Sequence, residues 1–142
     1  MTGGAAKVKI EVAQATLGQP FLVRVTAQAK ANLDVSEVYL QVRAVERAEV
    51  RDVDYDYGDH RQRIEYVEGS HISFTQRFGI SGKHSLSEGE SQVWEAEITL
   101  PEEANPSFDG HIICHQWEIM GALDTFGNDP DSGWQIFEVW DN

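Results

Sequence analysis

The stretch Lys7 to Val12, KVKIEV, alternates apolar and charged residues with a period of two, and the same alternation recurs along almost the whole chain. Val8, Ile10 and Val12 take one parity; Lys7, Lys9 and Glu11 take the other. A backbone whose side chains alternate in this way is a β-strand with one face buried and one face wet. The pattern returns in Phe21, Val23, Val25 and Ala27 against Arg24, Thr26 and Gln28, and in Val38, Leu40 and Val42 against Tyr39, Gln41 and Arg43. It returns again in Ile72, Phe74 and Phe78, and in Trp94, Ala96, Ile98 and Leu100 against Val93, Glu95, Glu97 and Thr99. Residues 111–123 and 134–139 read as the last two strands. No segment places apolar residues at three- and four-residue spacing over the length a stable helix requires.

Turn residues punctuate these runs at Leu17-Gly18-Gln19-Pro20, Ser81-Gly82, Glu88-Gly89 and Asn128-Asp129-Pro130. Short strands separated by such signals predict an all-β fold, an antiparallel immunoglobulin-like sandwich of about seven to nine strands. The 142 residues are enough to bury one core, and no repeat or linker divides them. Residues 1–142 are therefore read as one domain, with residues 1–6 expected to be disordered. Shared parity puts Val23, Val25, Leu40, Val42, Trp94, Ile98, Trp117 and Ile119 in the expected core, and leaves Trp134 and Trp140 partly exposed beside the final strand.

Charge bears on partners. With 24 acidic and 11 basic residues the net charge is −13, which repels phosphate backbones and anionic lipid. Neither nucleic acid nor membrane insertion is expected. Cys114 is the single cysteine, so no internal disulfide forms, and the first ten residues lack a signal-peptide core. The expectation is a cytoplasmic protein.

"EITLP", the loop "EEANPSFDG" and a long strand carrying Trp117, Ile119 and the closing "GALD" together resemble the end of an arrestin-like N-terminal sandwich. The opening "KVKIEV", "LGQPFLVRVTAQA" and "VSEVYLQVRAVE" is similar to that fold's first strands. The tail "GALDTFGNDPDSGWQIFEV" is similar to the ending of bacterial sporulation-control proteins, an arrestin-like family. The resemblance spans about residues 7 to 140 and rests on strands and turns. It implies a regulatory adaptor or scaffold without chemistry of its own, and it supplies no catalytic residue or cofactor. Arrestins continue past the first sandwich whereas this sequence ends at Asn142, so no interdomain cleft is expected.

Three groups of residues invite a chemical reading. His111 and His115 are four apart, but in a strand that spacing separates them by about 13 Å, too far to share a metal. Cys114 has the opposite parity to His115, so the two are not a nucleophile and its base. In "RDVDYDYGDHRQR", Asp52, Asp54 and Asp56 imitate the start of a calcium loop, yet Tyr57 stands where Gly is needed and Arg63 where a bidentate Glu is needed. The same residues make an acidic strand with Val53, Tyr55 and Tyr57 on its other face and Gly58-Asp59 as a hairpin turn. Asp124, Asn128, Asp129 and Asp131 could gather oxygen ligands, or could simply be turn residues. No phosphate loop, nucleophile elbow or paired-cysteine set is present.

The function expected is a non-enzymatic adaptor that binds another protein, with no cofactor and no metal. A sheet edge at Asp52, Asp54, Tyr55, Asp56 and Tyr57 is the candidate site, and it would suit a basic partner. Carboxylates that merely blunt the edge against pairing are the competing explanation. The alternative function is a small-ligand or carbohydrate-binding module that stacks its ligand on Trp134, Trp140, Tyr55 or Tyr57. A metal-dependent hydrolase finds no support in the spacing, and a homo-oligomer is left open. Replacing Trp117 by Ala should destabilise the fold by about 3–5 kcal/mol, read by chemical denaturation, because a large buried ring is lost.

Overall fold

The alternation is realised as antiparallel sheets packed against one another in a computed structural model of the chain, which describes residues 5–56, 61–109 and 113–141. The smaller sheet has β1 (Ala6–Val12) and β7 (Ser91–Thr99) on either side of β3 (Pro20–Ala29). The larger has the order β10 (Gln135–Phe137), β9 (Ile113–Thr125), β4 (Leu33–Asp56), β5 (Arg61–Ser81), with β6 (His84–Leu86) on β4 and β8 (Phe108–Asp109) on β9. Two short parallel strands, β2 (Ala15–Thr16) and β11 (Val139–Trp140), tie the first bend to the last strand. No helix occurs among the described residues. Among the described residues, six long strands carry the sandwich, with five further segments of two or three residues.

The turn at Gly18 shows how sequence enforces this path. Gln19 N–H donates to Thr16 C=O at 3.1 Å, and Gly18 sits between them at φ +77°, a conformation that a residue with a Cβ rarely adopts. The chain then re-enters as β3, whose residues Val23 and Val25 pair with Val12 and Ile10 of β1.

The apolar parities meet in one core. Val23, Val25, Leu40, Val42, Trp117 and Ile119 are fully buried and Ile98 is nearly so. Trp117 lies among Phe74, Phe137 and His115, and its indole N–H donates to Asn105 C=O at 2.8 Å, so its polar atom is satisfied inside the core. Trp94 departs from expectation: on β7 opposite Val25 it is only partly buried, edge-on to His84. Ile72 departs too. Ala44 pairs with Phe74 but Val45 pairs with Ile72, so Ser73 is an extra residue that reverses the parity and turns Ile72 outward, 51% exposed.

Other boundaries differ as well. β1 begins at Ala6, which is buried and paired with Ala29, inside the stretch expected to be disordered. The third strand and the acidic strand, read separately, are one 24-residue strand, because β4 pairs with β5 from Val38 to Asp56 across two register shifts. The last strand divides into β10, which pairs with β9, and β11, which pairs with β2.

Gly121 sits where the sheets come closest. A Cβ there would lie 2.6 Å from Ile10 Cγ2 and 3.3 Å from Val25 Cγ2, both branch methyls held in β1 and β3. Gly121→Ala should therefore destabilise by about 1–3 kcal/mol through overpacking. Gly82→Ala, where a Cβ meets nothing within 4 Å, is the control and should leave the denaturation midpoint nearly unchanged.

Candidate functional site

Among the described residues, β4 has two long neighbours through its first two thirds and one along its last third. It pairs with β9 up to Ala48↔Ile113 and with β5 as far as Asp56↔Arg61. Among the described residues, 49–56 and 61–68 therefore leave the sheet as a two-stranded ribbon, about 26 Å long at the usual rise of a strand. Asp52, Asp54, Tyr55 and Asp56 lie on it, opposite Glu65, Arg63, Gln62 and Arg61. Tyr57, Gly58 and Asp59 lie outside the described residues, as does His111. Residues 51–56 are extended and paired, so they do not form the wound loop that a calcium ion of the EF-hand type requires. The acidic strand faces a mixed one, since Arg61 and Arg63 stand across from Asp56 and Asp54. A strand with one neighbour presents unpaired N–H and C=O groups along its other side.

The outer face of the larger sheet is polar and closely bonded. Arg77 donates to Glu37 at 2.6 Å, reaches Asp124 at 3.4 Å and stacks over the Tyr39 ring at 3.6 Å. Tyr39 O–H donates to Asp129 at 2.8 Å. Burial, and then that carboxylate, push the phenol up to about 12, so Tyr39 stays protonated and acts as a donor. Arg43 donates to the buried Glu118 at 2.8 Å and lies 3.8 Å over the Trp134 ring, while Arg47 donates to Gln116.

These contacts settle the loop after β9. Asp129 also accepts from Thr125 N–H at 3.2 Å, Asp131 accepts from Gly133 N–H at 2.8 Å, and Asp124 is held by Arg77. The carboxylates shape the turn, and among the described residues no group of three or more His, Cys, Asp or Glu could hold a metal ion. None of these arginine contacts was foreseeable from spacing, because the partners are 38 to 91 residues apart. The ribbon did leave a signal: residues 33–56 alternate without one Gly or Pro, which marks a single long strand.

His115 is 2% exposed on the inner face of β9, tilted against Trp117 with ring centres 5.9 Å apart. It borders two clefts at that end of the sandwich. One, of about 360 Å³, is lined by Phe74, Glu103, Asn105 and Trp117; the other, of about 260 Å³, by Ser107, Phe137, Glu138 and Trp140. Burial holds the imidazole below its ordinary pKa, and the Glu46 carboxylate, registered opposite it on β4, opposes the shift. Cys114 is half-buried on the outer face, so the adjacent thiol and imidazole point apart.

By sequence, the chain matches no protein-family profile and no curated protein. By structure, it is similar to the sporulation control protein Spo0M of Bacillus subtilis, with a TM-score of 0.65 and 20% identity, over 98% of this chain and 51% of that one. The chain thus spans about half the length of the protein it matches. The likeness is one of fold, and the arrestin-like sandwich that the sequence resembles is the fold observed.

The buried histidine makes stability pH-dependent. Its folded pKa lies below the unfolded value of 6.5, so between the two the unfolded chain binds more protons. His115 therefore lowers stability as pH falls through 6.5, until the folded group also protonates. Urea denaturation of the wild type and His115→Phe across this window should show a shallower pH slope in the variant.

Proposed function

We propose that this chain is a non-enzymatic regulatory adaptor that binds another protein along the β4–β5 ribbon. The observation that carries the reading is that both strands run past the sheet paired only to each other among the described residues. An extended segment of a partner adds to such an edge through main-chain hydrogen bonds, and alternate side chains then select it. Asp52, Asp54 and Asp56 lie on the β4 edge and favour a basic partner, while Tyr55 and Tyr57 supply apolar positions. One protein with a similar fold is a sporulation control protein, which agrees with a regulatory role.

A second reading, a carbohydrate-binding module, has one observation in its favour. Trp140 is 51% exposed and borders two clefts, so a sugar ring could stack on it. A glycan array separates the readings, because it should bind this module and not the adaptor.

The adaptor reading is tested by affinity capture from extracts of the source cells. Asp52, Asp54 and Asp56 changed together to Asn should recover the partner at least several-fold less well than wild type, and wild-type association should slow steeply with added salt. Unchanged recovery by a folded triple variant would remove the ribbon from the binding site.

A further inference from the structure

β10 is the terminal strand of the larger sheet, and the residues that blunt most strand edges are missing from it. The opposite sheet ends in β1, with Lys7, Lys9 and Glu11, and β7, with Glu95 and Glu97. Charges of that kind discourage pairing with another chain. β10 reads Gln-Ile-Phe, and three exposed apolar side chains lie on it or within three residues of it: Trp134 at 37%, Ile136 at 60% and Trp140 at 51%. A cleft of about 360 Å³ runs beside it, lined by Val12, Gln14, Ile136, Phe137 and Trp140, with Glu138 as its one ionisable group. On a chain of net charge −13, this is a place where a second copy can approach without meeting a dense field of like charge.

We propose that two copies of this chain associate through β10, the strands antiparallel about a two-fold axis at Ile136. The register supplies the complementarity. Ile136 pairs with Glu118 on the outer face, and residues two apart share a face, so Trp134, Ile136 and Glu138 form one outward row. With Ile136 on the axis, Ile136 meets its own symmetry mate and Glu138 lies across from Trp134 of the second copy. Arg43 is stacked on that Trp134 at 3.8 Å, so each Glu138 carboxylate arrives beside a guanidinium. The apolar centre and the two charge pairs then agree with one two-fold arrangement, and the sheet continues across it. An interface of this size is weak, so it forms with rising concentration.

Sedimentation velocity from low-micromolar to near-millimolar protein tests the proposal. Wild type should pass from monomer to dimer. Ile136→Glu, which sets two carboxylates on the axis, should remain monomeric with an unchanged melting curve. Glu138→Arg, which brings like charges together beside Arg43, should weaken dimerisation by about tenfold. If Ile136→Glu fails to fold, Glu138→Arg decides. A wild type that stays monomeric throughout, or a dimer that survives the variants at wild-type strength, overturns the proposal.

Discussion

The close approach of β9 to β1 and β3 at Gly121 governs the packing of the sandwich. A Cβ at that position would overlap Ile10 and crowd Val25, so the sheets touch here only because the side chain is absent. Leu40, Val42, Ile119 and Trp117 are buried on the inner face that this contact brings against the smaller sheet. A core packed at close to crystal density transmits any enlargement to its neighbours, so a single missing methyl sets the spacing of both layers.

Polar contacts do a different job. Ion pairs such as Arg24 with Glu95, and Arg77 with Glu37, lie in solvent and contribute on the order of 0–1 kcal/mol each. Their value is positional. Arg77, Tyr39 and Asp129 hold the loop after β9 against the sheet, and Arg43 couples Glu118 to Trp134 at the edge of the sheet. This polar cover stops short of the apolar edge at β10, where Ile136 is exposed.

Strand faces were legible wherever alternation was unbroken, and Val23, Val25, Leu40, Val42, Trp117 and Ile119 went to the core as their parity required. It failed at Ile72, where Ser73 bulges, since a bulge adds a residue without a distinctive residue type. It overstated Trp94, whose parity is right but which is only partly buried against the core. Within the candidate site, the acidic strand was visible in the chain order of Asp52, Asp54 and Asp56. That the described β9 pairing ends at Ala48 was not visible, because no local pattern says where a neighbour more than sixty residues away begins.

The amino-acid order by itself determined the all-β class, the buried face of each long strand, the glycine-marked turns and the acidic character of the surface. Each follows from a local rule, the two-residue period of an extended chain or the backbone freedom of glycine, and needs no knowledge of what lies alongside. Only the tertiary structure decided that residues 33–56 form one strand with, among the described residues, two long neighbours and then one, that Trp134 lies under Arg43, and that Asp129 and Asp131 accept hydrogen bonds within the turn. The β4–β9 pairing, the Arg43–Trp134 contact and the Tyr39–Asp129 bond join residues 65 to 91 apart, and such pairings are chosen by how whole sheets pack.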